Sequence, residues 1–206
     1  MKILNLYSGL GGNRRKWQGH EVTAVEMCPE IAAVYQSLYP SDEVVVGDAM
    51  QYLEQHYAEF DFIWSSPPCP SHGQYRHNVG ELGKGFKPIM PDMSLYSQIV
   101  FLQHYAKCRW VVENVRPYYE PLVKPSVELQ RHLFWSNFYI PETKFEKSNI
   151  RYKNKISDFE GHEVVAASKI PNKRQALRNC VDDELGNYVL TCAIHINHHY
   201  KEGESN

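Results

Sequence analysis

No stretch of about 18 consecutive apolar residues occurs in the 206-residue chain, which excludes a membrane-spanning helix of ordinary length. Cysteine is scarce. The five, at positions 28, 69, 108, 180 and 192, form no CxxC pair, so a disulfide framework and a cysteine zinc site are both disfavoured. Neither a GxGxxG run nor a Walker lysine-serine pair is present, which removes the usual signals for cradling phosphates. There is no internal repeat and no low-complexity tract. An excess of one charge is lacking too. The net charge of −2 gives the chain no general attraction for a polyanion. The opening apolar run, MKILNLYS, meets glycine too soon for a secretory core and reads as a buried first strand, so a cytoplasmic protein is expected.

What is present is an ordinary globular composition, 43% hydrophobic and 22% charged, enough for one domain and a small appendage. Short β-branched or aromatic runs at 2–7, 21–26, 43–46, 60–65 and 109–113 alternate with helical spacing at 29–38, 50–58 and 93–106. That order predicts an α/β fold with a mostly parallel, doubly wound sheet and ligands at the carboxyl ends of its strands. Residues 132–135 and 137–140 read as a late strand pair turned at WSN. Two irregular segments interrupt the scheme. Residues 67–91 hold five prolines and four glycines, and a loop that long in a compact domain is usually functional. Residues 141–172 are polar, with a strand-like run at 163–167. Between 144 and 178 lie nine Lys and Arg against four acids, the local balance a phosphate contact needs, although a solvated loop has it as well.

Three strand ends carry chemistry. After the first, LYSGLGG places Gly9 and Gly11 where a backbone can pass close to a ligand. Glu26 closes the second, suited to the two hydroxyls of a ribose. Asp48 follows the third, suited to an adenine amine. Each alone is more often an ordinary strand-end acid; together they point to an adenosine-type cofactor. After the fourth strand, SSPPCP holds Cys69 in a stiff turn, because proline fixes φ and donates nothing. A thiolate there would face the cofactor crevice, whereas a buried packing cysteine is the plainer account. RWVVENV ends in Glu113, which would supply an acid partner for that thiol.

In order and spacing, LYSGLGG, Glu26, GDA, PPC and ENV resemble the DNA (cytosine-5) methyltransferases. LQRHLFW resembles their later arginine motif and LGNYV their final glycine-asparagine motif, so the likeness runs from Leu4 to about Ile194. The resemblance implies a Rossmann-like methyltransferase sheet, S-adenosylmethionine as cofactor and double-stranded DNA as partner, with the target base flipped out. It implies Cys69 as nucleophile at cytosine carbon 6, Glu113 at ring nitrogen 3 and the exocyclic amine, and Arg131 at the carbonyl. The backbone at Gly9 and Gly11 would follow the methionine part of the cofactor. Tyr7 and Met27 would flank the adenine, Glu26 the ribose and Asp48 the amine, with Pro67 and Asn187 closing the pocket. Phosphate contacts would come from Arg76, His77 and Lys84 in the mobile loop, hinged at Gly80, Gly83 and Gly85, and from Lys153, Lys155, Lys173 and Arg174. The domains implied are a catalytic core (1–140), a short basic recognition insert (141–172) and helices returning to the core (173–206).

The chain also departs from that family. Pro70 stands where Gln is usual, Asn5 where an acid is usual, and Tyr7 where Phe is usual. Leu133 falls at the second arginine position of the later motif. A recognition region this short suggests a phage enzyme that reads a very small site, active in a bacterial or phage-infected cell. Two other readings remain. SSPPC superficially resembles the loop of amino-methyltransferases, but their stacking aromatic is a cysteine here. A DNA-binding homologue without turnover would fit the altered arginine motif. His195, His198 and His199 have helical spacing, but with no acid or cysteine partner a solvated helix end accounts for them, and no metal is expected.

Overall fold

The computed structural model describes residues 1–74, 77–78, 87–145 and 161–195. Among the described residues, seven strands form one sheet in the order β3-β2-β1-β4-β5-β7-β6. The first five are β1 (Lys2–Leu6), β2 (Glu21–Glu26), β3 (Glu43–Val46), β4 (Phe62–Ser65) and β5 (Arg109–Val115), all mutually parallel. β7 (His132–Ser136) runs antiparallel to β5 and pairs with β6 (Val127–Leu129). The helices are α1 (Pro29–Leu38), α2 (Ala49–His56), α3 (Ser94–Tyr105), α4 (His162–Ala167), α5 (Lys173–Arg178) and α6 (Asp183–His195). The expected doubly wound α/β sheet is observed. Among the described residues no helix is long and apolar enough to cross a membrane.

Two expectations are corrected. Residues 137–140 do not pair with β7, because the Asn137 side chain donates to the Cys108 carbonyl and accepts from the Trp110 amide, tying that segment to the start of β5. The partner is the shorter β6, and the hairpin turns at Gln130, held at φ 57°. Residues 163–167 are helical rather than extended: Val165 of α4 is buried against Leu10 and Val34, where one turn of helix suffices to deliver it.

Alternation along the strands sorts the core into two layers. One face carries Ile3, Phe62, Trp64, Val111 and Phe134 and is covered by Trp17 and by Leu185 and Val189 of α6. The other carries Leu4, Leu6, Ile63, Val112, Leu133 and Trp135 under Leu53 of α2 and Leu95, Ile99 and Leu102 of α3. Helix starts follow local chemistry: α1 opens on Pro29, whose missing N–H costs nothing there, and Asp48 caps α2 by accepting from the Gln51 amide at 2.9 Å.

The loop after β1 is fixed by a buried ion pair. Arg14 donates from Nε and Nη2 to the two oxygens of Asp42, each at 2.8 Å, and Tyr35 donates to the same carboxylate at 2.9 Å. Two glycines make close approaches that no side chain would permit. A Cβ on Gly12 would lie 2.4 Å from the Val181 carbonyl oxygen, and one on Gly186 would lie 2.4 Å from that of Asn13. The segments joining α5 to α6 are thereby drawn against the first loop.

Candidate active site

The strand order reverses between β1 and β4, which leaves a crevice above their carboxyl ends. A cavity of about 330 Å³ lies there. Its walls include Tyr7, Ser8 and Gly9 after β1, Glu26 and Met27 after β2, and Pro67 and Cys69 after β4. Glu113 and Asn114 of β5, Arg131, His132 at the start of β7, and Gln175 and Arg178 of α5 also belong to the lining. The sheet therefore gathers the glycine turn, the proline-cysteine turn and the β5 acid in one place. A larger cavity, about 1050 Å³, opens at the opposite ends of the strands among Met1, Asp61, Cys108 and Arg109 and holds none of the residues expected at the site.

Each carboxylate oxygen of Glu26 accepts one backbone amide. One carboxylate oxygen accepts from the Gly9 amide at 3.0 Å, the other from the Cys28 amide at 2.9 Å. Gly9 sits at φ 54°, a left-handed conformation that glycine adopts without penalty and that turns its amide toward the acid. Tyr7 holds a similar value, φ 55°, with a side chain, so the strand end is locally strained. Its hydroxyl accepts from Gln98 Nε2 at 2.7 Å, and Gln98 in turn accepts from Ser65 Oγ at 2.5 Å. Burial and the nearby charge of Asp48 push the Tyr7 phenol up to about 12.

The proline-cysteine turn is clamped from β5. Asn114 Nδ2 donates to the Pro67 carbonyl at 2.9 Å, and its Oδ1 accepts from the Val115 amide at 2.9 Å. Beyond the turn the Cys69 carbonyl accepts from the amides of His72 and Gly73. Cys69 is thus held on both sides, half-buried, with its thiol facing the cavity wall shared with Glu113. Burial pushes that thiol up, the negative charge of Glu113 pushes it further, and Arg131 offsets part of the effect. The cysteine is presented with its thiol shifted upward.

Glu113 and His132 are both buried, and His132 Nδ1 contacts Glu113 Oε1 directly. On the far side of the ring, Arg131 Nε donates to His132 Nε2 at 3.2 Å. His132 had carried no expectation beyond its place after Arg131. Strand alternation was the available signal: His132, Phe134, Val111 and Glu113 share one face of the β5–β7 pair.

Other expected residues fall elsewhere. Gly11 does not line the cavity, because it packs under Tyr35 and Tyr39, 2.8 and 2.4 Å from where its Cβ would be. Asp48 is exposed and committed to the α2 cap. Asn187 also lies off the cavity; Gly186 is the residue of that motif that touches the first loop. Lys173 donates to the Ala166 carbonyl at 2.5 Å and Arg174 is exposed, both outside the cavity lining. His77 stacks on Tyr118 at 4.4 Å between ring centres. Arg76, Lys84, Lys153, Lys155, Gly80, Gly83, Gly85, His198 and His199 lie outside the described residues.

Residues 1–116 match the family model described as C-5 cytosine-specific DNA methylase. The chain belongs to that family. The match takes in the glycine turn, Glu26, the Pro-Pro-Cys turn and the Glu-Asn-Val strand end, and stops before β6. No curated protein matches the chain. Among solved structures, a mutant of DNMT2 from Spodoptera frugiperda is 25% identical, with 55% of this chain and 35% of that one aligned and a TM-score of 0.38. A TehB-like SAM-dependent methyltransferase from Corynebacterium glutamicum is 22% identical over 55% of this chain and 54% of its own, with a TM-score of 0.35. A hypothetical protein from Thermus thermophilus is 19% identical over 66% and 73%, with a TM-score of 0.40.

The cavity has polar groups available to a ligand. Ser8 Oγ is buried on the cavity wall with no hydrogen-bond partner, and such an orphaned hydroxyl is satisfied by a polar ligand group. The Glu26 oxygens keep lone pairs beyond the two amides they serve.

Proposed function

We infer that this C-5 cytosine-specific DNA methylase family member is an active DNA (cytosine-5) methyltransferase that takes S-adenosylmethionine. The observation that carries the reading is that Cys69 and Glu113 face one cavity, close enough for the charge of Glu113 to act on the thiol. Tyr7, Ser8, Gly9, Glu26, Met27 and Pro67 would hold the cofactor, with Asp48 as a further candidate at its adenine end. The cofactor supplies an electrophilic methyl group.

Carbon 5 of cytosine is a poor nucleophile until the ring is activated. Once its proton has passed to solvent, Cys69 adds to carbon 6 as the thiolate: the sulfur–carbon bond forms, the 5,6 double bond opens, and Glu113 supplies a proton to ring nitrogen 3 as electron density moves there. Carbon 5 is then nucleophilic and accepts the methyl group. Loss of the carbon-5 proton to a base re-forms the double bond and expels the thiolate, and the nitrogen-3 proton returns to Glu113. The two proton positions are coupled in the useful direction. A charged Glu113 adds to the effect of burial in raising the thiol, and a neutral Glu113, ready to donate, removes that addition. A base inside a duplex is out of reach of this cavity, so the cytosine would be flipped into it. Residues 141–172 would serve as a minimal recognition insert between the core (1–140) and the returning helices (173–206). Arg76, His77, Lys84, Lys153, Lys155, Lys173 and Arg174 would contact phosphates, and a phage or restriction-modification setting suits so short a recognition region.

A DNA-binding homologue without turnover is the second reading, favoured by Leu133 at the second arginine position of the later motif. Sequencing DNA by cytosine-deamination chemistry after incubation with the pure protein and cofactor separates the two. Protected cytosines at a two- to four-base motif are expected; DNA without any protected cytosine would leave only the second reading.

A further inference from the structure

The ring of His132 touches both Glu113 and Arg131, and its orientation can be assigned from the hydrogen-bond network. An arginine Nε always carries its hydrogen, so His132 Nε2 must offer a lone pair to receive it. A neutral imidazole with an accepting Nε2 bears its hydrogen on Nδ1. Nδ1 faces Glu113 Oε1, so the histidine donates and the carboxylate accepts. Protonating Nε2 as well would set an N–H against the guanidinium, an arrangement with no acceptor in it. The network therefore runs in one direction, from Arg131 through His132 to Glu113.

We propose that His132 is a positioning residue that fixes the Glu113 carboxyl by occupying Oε1, leaving Oε2 as the oxygen that takes the proton and meets the pyrimidine ring, and that Arg131 acts through it by setting the ring's tautomer. This deepens the methyltransferase reading and rests on it. His132 is not a proton shuttle, because Arg131 has no proton to give in exchange for the one on Nδ1. Its place makes the role possible: the side chain is 8% exposed, that of Glu113 is 6%, and solvent has little access to compete for Oε1. A carboxyl without this donor could rotate and offer either oxygen in either proton state, a loss of the preorganisation that catalytic hydrogen bonds depend on.

Two measurements test it. In histidine-labelled protein, the nitrogen-detected tautomer of His132 is expected to be Nδ1–H, with that preference lost in Arg131→Leu; an Nε2–H ring in the unsubstituted protein overturns the proposal without reference to activity. In single-turnover methylation, His132→Ala is expected to lower the rate of methyl transfer about 10²-fold, the scale of one lost preorganised donor, while KM for DNA stays within about threefold. His132→Asn, whose side-chain amide falls where Nδ1 was, is expected to recover at least about tenfold of that loss, and His132→Gln, whose amide falls where Nε2 was, is not. Retained cofactor binding reports that each variant is folded. Methylation by His132→Ala at the unsubstituted rate removes this inference and leaves the enzyme standing, whereas an unsubstituted protein that methylates no cytosine removes both.

Discussion

Asn114 makes two bonds with one side chain, and its replacement by alanine links stability to function. The residue is 2% exposed and joins the end of β5 to the turn that carries Cys69. Truncation leaves the buried Pro67 carbonyl without its donor and the Val115 amide without its acceptor. Each buried, unsatisfied group costs about 1–3 kcal/mol, and because the Val115 amide is only partly buried, the lower end applies there, giving about 2–4 kcal/mol in all. With an unfolding entropy near 2.1 cal/mol/K per residue, a chain of this size loses about 0.4 kcal/mol per kelvin, so the midpoint should fall about 5–9 °C. The turn would keep its prolines but lose its tether, and a thiol displaced by about 1 Å should slow addition to the pyrimidine about 10²-fold. Thermal unfolding by circular dichroism and the single-turnover rate measure the two effects separately. Asn114→Asp is the sharper control, since it keeps the acceptor, loses the donor and sets a charge beside the Pro67 carbonyl; it should be at least as damaging. A loss below about 0.5 kcal/mol with unchanged turnover would refute the clamp.

Four further outcomes follow from the same geometry. Asp42→Ala should destabilise the protein by about 3–5 kcal/mol in urea titration, because it strands the buried Arg14, and adding Arg14→Ala should recover part of that loss. Gly12→Ala should weaken cofactor binding at least about tenfold in calorimetry, since its Cβ would press on the Val181 carbonyl and displace that part of the cavity lining, while Gly47→Ala, which meets nothing within 4 Å, should be silent. Alkylation of Cys69, followed by peptide mass spectrometry, should accelerate with rising pH only in the alkaline range and should be faster at fixed pH in Glu113→Gln, because removing that charge lowers the thiol. The sign for stability is the reverse: a thiol raised in the folded state ionises first in the unfolded chain, so stability should fall above about pH 8.5 as Cys69 and Cys108, the latter raised to about 11, are left protonated only in the fold.

Much of this arrangement was legible before the structure. The five parallel strands and first three helices follow from apolar runs and helical spacing, and strand ends are where a doubly wound sheet gathers its chemistry, which is why Glu26, Cys69 and Glu113 could be named together. The weaker readings share a cause. β6 is three residues long and follows closely on Pro121 and Pro125, too short to show alternation, whereas residues 137–140 carry Phe138, Tyr139 and Ile140 and have strand composition without a free partner edge. α4 looked extended because Val164 and Val165 are β-branched, and packing against α1 overrode that preference. Gly11 and Asn187 were assigned by their place in a motif, which says that a glycine or asparagine belongs there but not which atom it serves. His132 was passed over because its role depends on a contact between strands whose register the sequence does not disclose.

The central claim is that Cys69 forms a bond to a cytosine ring. A duplex carrying 5-fluorocytosine in place of cytosine blocks loss of the carbon-5 substituent and so holds the adduct. Incubated with the protein and S-adenosylmethionine, such DNA should yield a complex that survives denaturing electrophoresis, with the modified peptide mapping to Cys69, and Cys69→Ser should yield none. Absence of the complex from the unsubstituted protein, or attachment through any other residue, would contradict the account.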